Sequence, residues 1–180
     1  MTSFAAADKS KPFIPLKAGG ATDGWSNDDE ATATCYCGAV QLKFATNPPG
    51  LIDTFSCNCY DCHKITASGM FATNFTVADT HLTHIRGHEK LTVFTQSRTI
   101  GTGSTMANHF CSICGTLMYR VRGDSPGKSI LRVGTVDDFS LHETKLKPRV
   151  ENYVKDRVGW LHPVEGALQV QASNDGPDAV

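Results

Sequence analysis

The sequence predicts a mainly β protein whose antiparallel sheets are organised around zinc sites, and three observations carry that expectation. Short runs of alternating or β-branched residues recur along the chain, with glycine or polar turns between several of them. No segment carries the 3.6-residue apolar stripe of a long amphipathic helix, which argues against βαβ units. Seven cysteines fall in three tight groups, and an odd count in metal-ligand spacing does not suit a disulfide framework.

Taken in order, residues 1–32 are rich in Ala, Gly, Pro, Thr and Asp and are expected to form a flexible N-terminal arm, in which Phe13, Ile14 and Leu16 can dock locally. One zinc domain is expected over residues 33–168, because 180 residues suit one packed core better than two. Val40, Leu42 and Phe44 alternate with Gln41 and Lys43, the period of a half-buried strand, and Asn47-Pro48-Pro49-Gly50 stops it. Leu51 to Phe55 leads into the central cysteine block. Further strands are expected at Met70–Val77, His81–Arg86, Leu91–Thr95, Thr105–Phe110, Leu117–Val121 and Ser129–Val133. A short helix or turn is expected around Asp137–His142, and residues 169–180 read as a polar C-terminal tail that frays from Ser173.

Cys35-Tyr36-Cys37-Gly38 and Cys111-Ser112-Ile113-Cys114-Gly115 are two paired-ligand turns that together offer one tetrahedral set. Each ends in a glycine able to take the positive φ of a sharp turn. Their separation along the chain is no obstacle, since zinc fixes ligand distances of about 2.0–2.3 Å and makes no demand on sequence order. The other three cysteines, in Ser56-Cys57-Asn58-Cys59-Tyr60-Asp61-Cys62-His63-Lys64, offer three thiolates where a closed site needs four. Two readings of Cys57, Cys59 and Cys62 stand open: an ion with one position left for chemistry, or a second structural ion capped by His63 or His109.

A formal charge of −1 and a pI near 6.6 provide no basic field for phosphates, and no run of basic residues occurs, so a nucleic-acid partner is not expected. The first thirty residues hold no signal-like apolar run and carry Asp8, Asp23, Asp28, Asp29 and Glu30. No stretch approaches the roughly 18 apolar residues of a membrane span, and a cytoplasmic protein is expected.

These motifs resemble those of the glutathione-dependent formaldehyde-activating (Gfa) and centromere-protein-V-like family. Cys35-Tyr36-Cys37-Gly38-Ala39-Val40 is similar to the family's opening turn, Cys57-Asn58-Cys59-Tyr60-Asp61-Cys62-His63-Lys64 to its central block, and Phe110-Cys111-Ser112-Ile113-Cys114-Gly115 to its closing pair. Gly87-His88-Glu89-Lys90-Leu91 and Gly134-Thr135-Val136-Asp137-Asp138 resemble intervening segments, so the likeness runs over roughly residues 33 to 165. It implies an Mss4-like (β-tent) fold and two zinc ions per chain: a structural one on Cys35, Cys37, Cys111 and Cys114, and a functional one on Cys57, Cys59 and Cys62. It also implies carbon–sulfur lyase activity on glutathione adducts such as S-(hydroxymethyl)glutathione. The alternative is a non-catalytic zinc module of the same fold that binds another protein. The run Ala67-Ser68-Gly69 after Lys64 departs from the more direct glycine of many members.

The chemistry of the residues points the same way. Soft thiolate ligands favour zinc and a soft fourth ligand, so a three-thiolate site suits handling sulfur better than activating water. His63, Asp61 and His109 are the proton-transfer candidates nearest in sequence to the ligands, although Asp61 is expected to accept backbone N–H bonds inside its own turn. Lys64, Arg98, Arg120 and Arg132 can pair with glutathione carboxylates, but each reads individually as a solvated residue. Lys64 and Trp160 are the candidate glutathione contacts. Trp160 reads equally as a core residue, Tyr153 shares that ambiguity, Asn152 and Lys155 are expected to face solvent, and the remaining histidines are expected at the surface.

Overall fold

The computed structural model describes residues 3–15 and 19–173, so Leu16 and most of the expected tail lie outside the described residues. Two β-sheets face each other. The smaller has the order β1 (Glu30–Thr34), β2 (Gln41–Ala45) and β5 (Leu82–Arg86), all antiparallel. The larger joins β3 (Leu51–Cys57), β4 (Ala72–Ala78), β6 (Leu91–Gln96), β7 (Met106–Cys111), β8 (Leu117–Arg122), β9 (Lys128–Arg132), β10 (Val150–Asn152) and β11 (Leu168–Val170). Its spatial order is β11-β10-β3-β4-β9-β8-β7-β6. The expected mainly β, Mss4-like architecture is what forms, with one difference. β10 lies parallel to both β3 and β11, so one end of the large sheet is parallel.

The core sits between the sheets. Ala31, Ala33, Val40, Leu42 and Phe44 from the small sheet and its turn meet Phe75, Val77, Tyr119 and Leu131 from the large one, all buried. The Phe44 and Phe75 rings pack at 4.7 Å between centroids. Strand alternation makes this work: Phe75, Leu131 and Tyr119 are cross-strand partners and so share one face, whereas Asn74 and Arg132 are partners on the other.

Two short helices complete the frame. Helix α1 (Tyr60–Thr66) begins inside the central cysteine block, with the Cys59 sulfur as its cap, and ends at Ala67 in a left-handed conformation (φ 52°). Helix α2 (Ser140–Glu143) falls where a short helix or turn was expected. β1 begins before residue 33 and β11 ends after residue 168, so both sheets overrun the expected domain limits. In the described part of the expected arm, Phe4 and Phe13 pack on each other and Phe4 on Phe139, and the Phe13 N–H donates to Asp138 Oδ1 at 2.8 Å. Asp138 also accepts from Ser26 Oγ and from the N–H and hydroxyl of Ser140.

Candidate metal centres

The first cysteine group bridges the two sheets. Cys35 directly follows β1 of the small sheet, and Cys111 closes β7 of the large one. Cys37 and Cys114 sit in the turns beyond them, and all four sulfurs lie within 4.8 Å of one another. The Cys35–Cys37 and Cys37–Cys111 sulfur separations are 3.6 and 3.8 Å. A tetrahedron with metal–sulfur bonds of about 2.3 Å has edges of about 3.8 Å, so this set fits a zinc ion, whereas a disulfide would need about 2.05 Å. Gly38 (φ 79°) and Gly115 (φ 74°) make the turns, as their residue type requires. The Val40 N–H donates to Cys35 Sγ at 3.2 Å, and the Thr116 hydroxyl lies 3.2 Å from Cys114 Sγ. Burial outweighs the first of these and pushes the Cys35 thiol up to about 12. At Cys114 burial is outweighed by hydrogen bonds from Thr116 and Cys37, which bring it down to about 6.

The second group is local. Cys57 ends β3, Cys59 caps α1 and Cys62 lies in its first turn, with the three sulfurs within 4.8 Å of one another and Cys57 and Cys59 only 3.4 Å apart. Tight sulfur packing prevents the bare thiols from ionising together. Cys57 is pushed far up by its hydrogen bonds to Cys59 and Cys62 and by burial, while hydrogen bonds to Cys57 and Cys59, against burial, hold Cys62 well down. A cation among the three removes that conflict. Among the described residues, no histidine, carboxylate or further cysteine joins this group.

Neither candidate fourth ligand, His63 nor His109, joins the three sulfurs. His63 places Nδ1 3.0 Å from the Ser68 carbonyl oxygen, and His109 stacks on Tyr119 at 4.3 Å. The Val93–His109–Tyr119 register puts His109 on the opposite sheet face from Asn108 and Arg120. His84 lies in that same cluster, with its ring 4.5 Å from His88 and its Nε2 3.3 Å from the Tyr119 hydroxyl, so it is not an ordinary surface histidine. Asp61 does not cap its own turn. It accepts from Thr99 Oγ1 at 2.5 Å and Gln96 Nε2 at 3.4 Å, tying the segment after β6 to α1.

Other expectations are corrected or sharpened. Lys64 and Arg98 are exposed, but Arg120 and Arg132 are 8% and 6% exposed and are not solvated strand residues. Trp160 is 66% exposed, which removes it from the core, whereas Tyr153, in a left-handed conformation (φ 57°), packs with Cys59 against the buried cluster of Cys57, Cys62 and Ala72. Asn152 is buried, because its carbonyl accepts the Asn58 N–H at 3.0 Å and Asn58 Nδ2 at 3.1 Å.

Sequence reasoning missed the group that fixes the loop between Cys57 and Cys59. Asn58 Nδ2 also donates to Glu151 Oε1 at 3.1 Å, and fully buried Glu151 accepts at Oε2 from the Val164 N–H, Gln169 Nε2 and Arg157. Burial raises the Glu151 carboxyl, but these donors outweigh it and hold it below the usual carboxylate value. The signal available was a lone acid in the run Val150-Glu151-Asn152-Tyr153, which reads equally as a surface strand.

The motif of the glutathione-dependent formaldehyde-activating enzyme matches residues 30–156, spanning both cysteine groups and most of the strands. The chain belongs to that family. A crystal structure of a Rhodobacter sphaeroides protein is similar to this Gfa family member at 27% identity, over 58% of this chain and 85% of that one, with a TM-score of 0.44. No curated protein matches the chain. No helix among the described residues is long and apolar enough to cross a membrane.

Proposed function

We propose that the protein is a zinc-dependent carbon–sulfur lyase acting on glutathione adducts, S-(hydroxymethyl)glutathione or a related conjugate. The observation that carries the reading is the set of three convergent sulfurs, Cys57, Cys59 and Cys62, joined by no fourth protein ligand among the described residues. Family membership supports glutathione chemistry, and the four-cysteine set would hold a separate structural ion. The non-catalytic module needs a closed second cluster, and no observation favours it.

A zinc ion held by Cys57, Cys59 and Cys62 would supply a soft acceptor that stabilises the adduct sulfur as thiolate. In the lyase direction the C–S electron pair goes to sulfur, the hydroxyl oxygen forms the new carbonyl, and the hydroxyl proton leaves. His63 is the residue we assign to that proton. With Nδ1–H donating to the Ser68 carbonyl, its Nε2 keeps the open lone pair. Exposed Lys64, two residues beyond Cys62, would meet a glutathione carboxylate, and exposed Trp160 would offer an apolar face to the tripeptide. Reduced thiols of this kind suit a cytoplasmic setting.

Metal analysis combined with glutathione titration tests the reading. Two zinc ions per chain, with saturable thiol binding at one of them, is the expected result. One zinc per chain, or two with no response to glutathione, would refute it.

A further inference from the structure

We propose that Arg120 and Arg132 form a buried dicationic floor that makes the three-cysteine site selective for an anionic fourth ligand. The inference rests on reading Cys57, Cys59 and Cys62 as an open divalent-metal site, and it adds what that site admits.

Register places both guanidiniums with the cluster. Cys57 pairs with Ala72 and Phe55 with Asn74 between β3 and β4, Asn74 pairs with Arg132 across β4 and β9, and Ile130 pairs with Arg120 across β9 and β8. Direct partners, and residues two apart on a strand, share a face, so Cys57, Asn74, Arg132 and Arg120 lie on one face of the large sheet. Arg120 Nη1 donates to Cys62 Sγ at 3.5 Å, and Arg132 Nη1 donates to Asn74 Oδ1. Arg120 Nε, Arg132 Nε and Arg132 Nη2 are buried with no acceptor.

Two guanidiniums buried side by side, with donors unspent, are costly unless an anion offsets them. The two guanidiniums donate to a thiol and an amide, so the offsetting charge is the cysteine cluster. Three thiolates and a divalent ion carry one net negative charge, and the two guanidiniums turn it to one net positive. A thiolate arriving as fourth ligand, its proton released to solvent, brings the buried assembly to neutrality. A neutral donor leaves it charged. Among the described residues the four-cysteine site shows no such floor: Arg86 beside it donates to the Gly38 carbonyl and is already paired with Asp23.

The test uses the full chain loaded with cobalt(II), followed by visible absorption while azide or imidazole is added near pH 8. Both probes are nitrogen donors, one anionic and one neutral. Azide is expected to bind about tenfold tighter than imidazole or better, the order of effect of a nearby partly buried charge. Arg120→Gln and Arg132→Gln are expected to weaken azide by about tenfold each and leave imidazole unchanged, and Arg120→Lys to recover most of the loss. Imidazole binding the wild type as tightly as azide would overturn the proposal without any variant having to fold. Equal weakening of both probes in the Gln variants would also overturn it, by showing a purely structural role. Both results leave the open metal site standing. One cobalt per chain, or two with no spectral response to either probe, would remove the open site and this inference with it.

Discussion

The two cysteine clusters use the same ligand atom and differ in what the chain does around it. Cys35, Cys37, Cys111 and Cys114 come from turns more than seventy residues apart and tie the end of β1 in one sheet to the end of β7 in the other. Cys57, Cys59 and Cys62 come from one strand-to-helix junction on the opposite face of the large sheet, above two buried arginines. A long-range set that holds an ion would close a large loop and so contribute to folding. A local set would close almost nothing, which would leave a bound ion available for chemistry.

Breaking the first cluster is therefore the most damaging change. Structural zinc contributes about 10–16 kcal/mol apparent, against a total domain stability of about 5–15 kcal/mol. Cys111→Ser or Cys35→Ser is expected to unfold or precipitate the protein, as circular dichroism and solubility would show. Cys59→Ser is expected to keep the β spectrum, lose about half of the zinc and lose nearly all turnover. A Cys59→Ser protein with full turnover would contradict the division of roles.

The grouping of the cysteines into four and three was legible in their spacing, because metal ligands must converge whatever the rest of the chain does. Most of the expected strands formed within a residue or two, Leu91–Gln96 and Leu117–Arg122 among them, since alternation reports directly on a half-buried sheet. What alternation does not report is whether the polar face meets water. Leu117, Tyr119 and Val121 announced one face of β8, and the other was read as solvated, yet Arg120 is buried there beside Cys62. Arg132 inside Ile130-Leu131-Arg132-Val133 was the better clue, a charge within an apolar run. Helix α1 was hidden because its seven residues are too few for a period and its cysteines read as a turn. The parallel β10 and β11 were missed because three-residue strands carry no pattern, their place being set by long-range pairing.

Smaller perturbations sharpen the contrast. Glu151→Gln removes the charge that holds Asn58 between two ligands, so zinc affinity at the three-cysteine site is expected to fall about tenfold or more by chelator competition, with the four-cysteine ion retained. Equal loss from both sites would contradict a local role. Asp138→Ala touches neither set of ligands and removes the anchor of Phe13, Ser26 and Ser140. It is expected to cost about 1–3 kcal/mol in denaturant unfolding and to leave zinc content unchanged.

The most direct test of the central claim is zinc X-ray absorption on the wild type and Cys59→Ser, with and without glutathione. Four sulfurs at one ion and three at the other are expected in the wild type, rising to four at both when glutathione is added, with no such rise in Cys59→Ser. A second ion already closed by a protein nitrogen, with a spectrum that glutathione does not change, would contradict it.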